Sequence, residues 1–211
     1  MKLEEYLGEK LGKSQGMDEE GVSVLVFGLA VAKSMVLSFL GIILVGILVG
    51  QLLGTLVIAV TQALLKQITG GPHCSDEYRC TVSGMLVFGV LGYISPFIWP
   101  HLSFAVSALL LLPLFVSILA WAPRDCPEKP IDSPAHRRRL RNLGLIAAVG
   151  LAALLYCLYA YNQPAFAAWV VEGALWQAVL LSPLGVWFIH GLDRGMIKAA
   201  AWFSRRSAGP S

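Results

Sequence analysis

A histidine and a cysteine stand in one polar loop between two strongly apolar stretches of this chain. The loop, residues 69–80, reads TGGPHCSDEYRC and carries His73 and Cys80. A thiolate is an effective nucleophile, and an imidazole can take its proton and later protonate a leaving amine. The two residue types therefore indicate nucleophilic catalysis, with Cys80 as the nucleophile and His73 as the general base and acid.

Three other polar residues of this region could support such chemistry. Arg79 could favour the thiolate form of Cys80. Asp76 could cap the start of a helix or orient His73, and Ser83 could stabilise an oxyanion. Two less specific interpretations stay open: a solvated polar loop, and a metal site formed by the loop's two cysteines and its histidine. Zinc sites usually use closer cysteine pairs and four ligands, so no metal is expected.

The spacing of His73 and Cys80 limits the local structure. A continuous helix would put both on nearly the same face, but about 10.5 Å apart along its axis. Proton transfer requires hydrogen-bond reach, roughly 3 Å, or somewhat more in a resting site. Gly70, Gly71 and Pro72 can end the preceding helix and let the chain fold back. We therefore expect His73 outside the helix that carries Cys80, with its ring within about 5 Å of the sulfur.

The elements around the loop are predicted to be membrane-spanning helices. Of all residues, 56% are hydrophobic and 14% are charged, whereas soluble domains carry about 25% charge. Three long windows, 81–121, 143–171 and 173–192, contain no charged residue. They are long enough for spanning helices of about 20 apolar residues each. The composition therefore predicts an all-α polytopic membrane protein with about six transmembrane helices.

An amphipathic helix is predicted before the first crossing. Apolar residues at helical spacing within 2–13 favour a helix on the membrane surface. The following stretch is expected at the interface as far as Lys33, because an earlier crossing would bury that charge. The chain then divides into an interfacial segment 1–33, a transmembrane domain 34–190 and a tail 191–211. The predicted crossings are 34–50, 52–68, 81–99, 102–121, 142–161 and 168–190.

The basic residues predict which side of the membrane carries the loop. With six crossings, all 16 lysines and arginines fall in regions on one side. By the positive-inside rule, both termini and the loop 69–80 face the cytoplasm of a multi-pass cell-membrane protein. Cysteines on that side are expected to be reduced. The basic regions are 1–33, 66–80, 122–141 and 191–211.

Two sequence patterns allow a functional and a structural interpretation. Within the basic cytoplasmic loop 122–141, several cations could attract an acidic peptide tail, or could only set topology and contact phospholipid. The small-residue pattern Gly46-x3-Gly50-x3-Gly54 could pack helices closely within one chain or in a homodimer. The cations that could bind a substrate are Lys129, Arg137, Arg138 and Arg139.

Two segments resemble the landmarks of a known family. GGPHCSDEYRC resembles the signature of the accessory gene regulator B (AgrB) family, a GG-x-H followed after six residues by cysteine. WAPRDCPEKPI, residues 121–131, resembles that family's second landmark, with an Ala-Pro start and a Lys-Pro-hydrophobic end. Two hydrophobic segments separate the landmarks, as in the family. Cys74 and Cys126 depart from the family pattern without removing a matched catalytic position.

The resemblance implies a membrane cysteine endopeptidase acting on a short AgrD-like propeptide, the precursor of a quorum-sensing signal. His73 and Cys80 match the family's catalytic pair. Cys80 would hold the peptide as a thioester after the C-terminal tail leaves. A nucleophile inside the peptide would then close a thiolactone or lactone ring, with no cofactor. The implied partners are the propeptide and membrane lipid, and no nucleic acid is expected.

Two other functions compete with the peptidase interpretation. A small transporter or exporter would suit the abundant glycine and the helix-kinking prolines, including Pro183. It would also call for charged residues in mid-membrane, and Glu172 is expected only at the outer end of the sixth crossing. His190 and Asp193 are expected at the inner end of that crossing, in interfacial roles. A non-catalytic membrane scaffold leaves both landmarks unexplained.

Overall fold

Eight α-helices, with a short 3-10 helix (Trp99–His101) after the fourth, make up the architecture in the part of the chain that the computed structural model describes, residues 3–125 and 133–207. Six of them, the second to the seventh, are long and apolar enough to cross a membrane. This confirms the predicted all-α, multi-pass architecture and its N-terminal helix. The helices are α1 (Leu3–Ser14), α2 (Glu19–Leu48), α3 (Leu52–Thr69), α4 (Glu77–Ile98), α5 (Phe104–Trp121), α6 (Pro134–Ala160), α7 (Pro164–Leu181) and α8 (Pro183–Ser207).

The helix α2 runs without a break through the boundary that was predicted at residue 33. It starts at Asp18, whose side chain accepts a hydrogen bond from the Gly21 amide at 2.9 Å. Its 30 residues extend about 45 Å, more than the roughly 30 Å of a bilayer core. Lys33 lies on this helix and pairs with Glu77 at 2.6 Å. The Glu77 carboxylate offsets the positive charge of Lys33, which was the reason for predicting that the first crossing begins after residue 33. The ion pair also places Lys33 level with the first turn of α4.

The sixth crossing is shorter than predicted. The sequence predicted a sixth crossing at residues 168–190, with a kink at Pro183. In the structure α7 ends at Leu181, and Pro183 begins the separate helix α8. Proline has no amide hydrogen and its ring clashes with the preceding turn, so it ends the helix here. The revised boundary also moves the residues of the predicted inner end, including Asp193, onto α8.

Glu172 occupies the middle of α7, and the prediction that it lies at an outer helix end is wrong. The side chain is buried, and its Oε1 accepts a hydrogen bond from Ser95 Oγ of α4 at 2.9 Å. A carboxyl group at this depth is costly and is tolerated when it faces the bundle interior and has a partner. Glu172 is therefore an acidic group inside the helix bundle, although the sequence had predicted it at the outer end of a crossing.

The helix α7 lies at the centre of the bundle, between α3 and α5. Its small residues allow close approach: a Cβ built on Gly173 would lie 2.5 Å from the Ile58 carbonyl oxygen of α3. Close packing through small residues is the usual way in which membrane helices associate. The main core cluster includes Leu65, Leu111, Leu114, Ile118, Ala148, Leu155, Ala167, Val171, Ala174, Ala178 and Leu181.

The small-residue pattern in α2 and α3 serves packing within one chain. A Cβ on Gly46 would meet Leu52 and Thr55, and one on Gly54 would meet the Trp169 indole. Gly50 has φ +70° in the turn between the helices, a conformation that favours glycine. All three glycines thus have internal roles. The homodimer stays a prediction that this motif does not support.

Replacing Gly173 by alanine should destabilise the bundle. The added carbon must displace the backbone of α3 or shift α7, and overpacking of this kind typically costs about 1–3 kcal/mol. Gly150→Ala in α6 is the matched control, because a Cβ there meets nothing within 4 Å. Alanine is also the better helix former by about 1 kcal/mol. Thermal unfolding in detergent micelles should rank Gly173→Ala below wild type and Gly150→Ala at or above it; the reverse order would contradict the α3–α7 contact.

Candidate active site

The loop that carries the candidate chemistry, residues 70–76 and here termed the site loop, joins α3 to α4. Gly70 follows the last residue of α3 and has φ +74°, a left-handed conformation that favours glycine. Lys66 Nζ donates a hydrogen bond to the Pro72 carbonyl oxygen at 3.0 Å. The predicted helix end at Gly70, Gly71 and Pro72 is thereby confirmed, and the start of the loop is tied back to the helix it leaves.

A buried amide on α7 fixes where the site loop begins. Gln177 is fully buried, and its Nε2 donates to Thr69 Oγ1 and to the Gly70 carbonyl oxygen, both at 2.8 Å. Its Oε1 accepts from Gln62 Nε2 at 3.0 Å. Thr69 Oγ1 donates in turn to the Leu65 carbonyl oxygen at 2.8 Å. Each polar atom of the Gln177 side chain thus has a partner in the apolar interior.

The two sequence landmarks meet in space. The Arg124 amide donates to the Thr69 carbonyl oxygen at 2.9 Å, and an isolated β-bridge pairs Gly70 with Arg124. A Cβ on Gly70 would overlap the Arg124 carbonyl oxygen, so glycine is required there for a second reason besides its φ. Ala122 and Pro123, which open the second landmark, are buried. Arg124, which directly follows the buried Ala-Pro start, therefore forms the backbone surface against which Gly70 of the first landmark lies.

The first turn of α4 carries Cys80. Asp76 caps this helix, and its Oδ1 accepts from the amides of Tyr78 at 2.9 Å and Arg79 at 3.4 Å, as the capping prediction requires. The amide of Cys80 donates to the Asp76 carbonyl oxygen at 3.0 Å. Because this amide is already hydrogen-bonded within the helix, it is not available to stabilise an oxyanion. Cys80 thus lies in the first turn of α4, at the N-terminal end of the helix.

Arg79 points its guanidinium at a partner that the sequence did not indicate. Its Nε donates to Asp193 Oδ1 of α8 at 2.6 Å, and its Nη2 donates to Ser75 Oγ at 2.8 Å. The expected role of Arg79, favouring the Cys80 thiolate, is therefore weakened because a carboxylate balances its charge. Asp193 was expected only in an interfacial role; it is almost fully buried against the site loop.

Cys80 opens onto a small cavity at this end of the bundle, about 200 Å³ in volume. Cys74 and Ser83 share the cavity wall, with Cys74 Sγ 3.6 Å from Ser83 Oγ. Two polar side chains thus share the cavity with Cys80, and its lining as a whole is mainly apolar. The other lining residues include Ser38, Ile42, Gln62, Lys66, Pro72, Phe88, Trp176, Leu180 and Ile189.

The surroundings of Cys74 make its thiol a weak nucleophile. Burial raises the pKa of the Cys74 thiol; the nearby charges of Cys80 and Asp193 raise it further, and the hydrogen bond with Ser83 opposes the shift. Cys74 therefore stays protonated at neutral pH, and a thiol is a far weaker nucleophile than a thiolate.

His73 lies outside α4, as the spacing argument required, and its side chain is exposed. The residues on either side of it, Pro72 and Cys74, line the cavity together with Cys80. The backbone therefore brings His73 to the rim of the cavity. The approach of its ring to the Cys80 sulfur within about 5 Å stays a prediction.

The cations proposed for substrate binding occupy different positions. Arg137 donates to the Pro123 carbonyl oxygen at 3.1 Å and pairs with Asp125, so it braces the second landmark. Arg138 and Arg139 are exposed and line an open groove of about 540 Å³ at the start of α6. Lys129 lies outside the described residues, as does Cys126.

These features define a class of multi-pass membrane proteins. In this class, a cysteine lies on the wall of a small cavity at one end of the helix bundle, beside a loop that begins with glycine. The family model described as Accessory gene regulator B matches residues 4–181 of the chain. The chain belongs to the accessory gene regulator B family, and this membership supports a role in the agr quorum-sensing system.

Relatives named AgrB-like match the chain over most of its length. The protein of Clostridium perfringens strain SM101 is 20% identical over 207 residues, which cover 90% of this chain and 95% of that protein. The protein of Halalkalibacterium halodurans is 26% identical over 183 residues, 86% of each chain. The protein of Listeria innocua is 22% identical over 173 residues, 79% of each chain. No solved structure matches the chain.

Substituting Gln177 by leucine should destabilise the protein. The change leaves the Gly70 carbonyl and the Gln62 amide without their partner, and each unsatisfied buried polar group costs about 1–3 kcal/mol. Val179→Leu on the same helix is the control, because Val179 is 40% exposed and surface changes usually stay within about 0.5 kcal/mol. Denaturant unfolding in micelles measures both; equal stability of the two variants would contradict the anchoring role.

Proposed function

We propose that this chain is a membrane cysteine endopeptidase that removes the C-terminal tail of a short AgrD-like propeptide and promotes its cyclisation. The observation that carries the proposal is the position of Cys80, in the capped first turn of α4 and on the wall of a cavity. The site loop brings His73 to the rim of that cavity. Membership of the accessory gene regulator B family supports the same reaction.

In the first step, the Cys80 thiolate attacks the carbonyl carbon at the cleavage site. His73 accepts the thiol proton and then transfers a proton to the departing amine of the tail. The carbon–nitrogen bond breaks, and the peptide stays on Cys80 as a thioester. Ser83 is the candidate donor to the oxyanion, since its hydroxyl lines the same cavity.

In the second step, a thiol or hydroxyl inside the peptide attacks the thioester carbonyl. Cys80 leaves as a thiolate, and the ring closes as a thiolactone or lactone. Exchange of one thioester for another has nearly balanced energies, so closure to a thiolactone requires no cofactor. Water competes with the internal nucleophile, and the apolar walls of the cavity reduce its access.

The substrate class follows from the surfaces beside the site. The cavity volume of about 200 Å³ is below the range of about 300–1,000 Å³ found for pockets that bind whole small molecules. It suits one or two side chains next to the cleaved bond. The exposed Arg138 and Arg139 provide positive charge for an acidic tail, and the surrounding lipid supports an amphipathic peptide. This end of the bundle is proposed to face the cytoplasm.

An exporter is the second candidate, because one observation favours it. Glu172 is a buried carboxyl group within a spanning helix, and such groups often mark ion or substrate pathways. An exporter of this kind would depend on the charge of Glu172. A peptidase would depend on Cys80 and need only the hydrogen bond that Glu172 accepts from Ser95, which glutamine can also accept.

Cys80→Ala and His73→Ala should each abolish cleavage of a propeptide by the full-length protein in lipid vesicles. Loss of the nucleophile removes the covalent route, and loss of the base is expected to lower the rate by about 10²-fold or more. Gel analysis of the released tail measures the first step, and mass spectrometry of the cyclic product measures the second.

Glu172→Gln and Cys74→Ala are the controls for these variants, and both should cleave at rates near wild type. Failure of Cys74→Ala with full activity of Cys80→Ala would show that the nucleophile is the other cysteine. If all four variants cleaved the propeptide at the wild-type rate, a peptidase that uses Cys80 and His73 would be excluded. Loss of peptide transport in Glu172→Gln would then favour the exporter.

Single-cysteine labelling should place the site on the cytoplasmic side. In a background lacking all four native cysteines, Arg138→Cys reports the end of the bundle that carries the site. Tyr161→Cys reports the opposite end, where that side chain is 79% exposed. A membrane-impermeant maleimide should label Tyr161→Cys in intact cells and Arg138→Cys only after the membrane is opened, because basic segments are retained inside. The reverse pattern would invert the topology.

A further inference from the structure

Asp193 of α8 forms a closed ring of polar contacts with the site loop. Its Oδ2 accepts from the Ser75 amide at 3.2 Å and from Ser75 Oγ at 2.5 Å. Its Oδ1 accepts from Arg79 Nε at 2.6 Å, while Arg79 Nη2 donates to Ser75 Oγ at 2.8 Å. The three side chains thus contact one another in a ring, here termed the Asp193 clamp.

The clamp holds both segments that carry a cysteine of the cavity. Ser75 is the neighbour of Cys74 in the site loop, and Arg79 is the neighbour of Cys80 in the first turn of α4. The start of the loop is held separately, by Gln177 and by the backbone of residue 124. With the clamp in place, only the short stretch containing His73 and Cys74 lies between two fixed points.

The charge state of the clamp suits this role at neutral pH. Hydrogen bonds from Ser75, followed by those from Arg79, lower the pKa of Asp193 below the usual range of aspartate. The carboxylate is therefore ionised whenever Cys80 could react. Asp193 has a relative exposure of only 7%, and its contact with Arg79 is a charge-assisted hydrogen bond, which is stronger than a hydrogen bond between neutral groups.

The helix that supplies Asp193 lies beyond the part of the chain matched by the family model, which ends at residue 181. The α8 helix begins at Pro183 and packs against α7 and α4. The family match alone therefore gives no role to this helix. Its contact with the site loop gives it one.

We propose that Asp193 is a positioning residue for the peptidase: through Ser75 and Arg79 it fixes the site loop against the first turn of α4, and so sets the approach of His73 to Cys80. The proposal rests on the proposed function. Asp193 acts through Ser75 and Arg79 and is not proposed to contact the Cys80 sulfur or the substrate carbonyl. Its loss should therefore slow the chemical step more than it weakens propeptide binding.

Asp193→Asn is the main variant, because it keeps the size of the side chain and removes its charge. In steady-state cleavage of an AgrD-like propeptide by the full chain in vesicles, kcat should fall by about 10- to 100-fold, the scale expected when reacting groups are misplaced by about 1 Å. KM should change by less than about 3-fold, since uniform binding is retained. Asp193→Glu, which restores the charge, should recover most of kcat.

Two further variants test whether the ring acts as a unit. Ser75→Ala removes the hydroxyl but leaves the ion pair, so it keeps the test available if Asp193→Asn does not fold. Combining Ser75→Ala with Asp193→Asn should cost little more than the worse single change, because members of one network are not additive. Arg194→Gln is the matched control on α8: the Arg194 side chain is exposed and donates to the His190 carbonyl oxygen of its own helix, and its loss should leave kcat unchanged.

A measurement without propeptide separates this proposal from the proposed function. The rate at which iodoacetamide alkylates Cys80, in a Cys74→Ala, Cys126→Ala and Cys157→Ala background, should change severalfold in Asp193→Asn and not in Arg194→Gln. Wild-type kcat and alkylation in Asp193→Asn, with Cys80→Ala inactive, would overturn the clamp while the peptidase stands. If wild-type protein does not cleave the propeptide, the proposed function fails, and equal alkylation rates would overturn the clamp independently.

Discussion

A backbone that ends a helix inside an apolar bundle leaves carbonyl groups that lipid cannot satisfy. The helix α3 ends in this way, with Thr69 fully buried and Gly70 directly after it. Gln177 Nε2 donates to the Gly70 carbonyl oxygen and to the Thr69 hydroxyl oxygen, and Gln177 Oε1 accepts a hydrogen bond from Gln62. Because Gln177 belongs to the central helix α7, the starting point of the site loop is fixed by the same packing that holds the bundle together.

The two ends of the site loop are held by different kinds of interaction. At Thr69 and Gly70, inside the bundle, the contacts are a neutral side-chain amide and a backbone bridge, in keeping with the high cost of burying charge. Nearer the periphery the contacts are ionic: the Arg79 side chain is 31% exposed and pairs with Asp193, whose side chain is 10% exposed. The loop therefore passes from a neutral interior to a charged rim, and the reactive residues lie where the two meet.

Much of this arrangement could be predicted from the sequence because it depends on local composition. Charge-free windows indicate the crossings, two glycines and a proline indicate the end of α3, and an aspartate indicates the start of α4. The boundaries of α2 and α7 were predicted less well. Apolar content alone does not show where a long helix leaves the membrane, nor whether Pro183 bends a helix or ends it. The central position of Glu172 was missed for the same reason.

The roles of Arg79, Gln177 and Asp193 could not be predicted because each depends on a partner more than 100 residues away in the chain. Polar residues within apolar windows, such as Gln62 and Gln177, are the one signal that pointed to buried contacts of this kind. For Asp193 the chain offered no local signal, since an acid near a helix end is ordinarily solvated.

The bridge between Gly70 and Arg124 has a consequence for exchanging segments between members of the family. Gly70 of the first landmark fits against a backbone that the second landmark supplies at Arg124, and a carbon added at Gly70 would overlap that backbone. A chimera that carries the loop of one protein on the scaffold of another must therefore transplant both segments together. The smallest interchangeable part of this molecule is discontinuous in sequence, and recombination within the intervening helices would divide it.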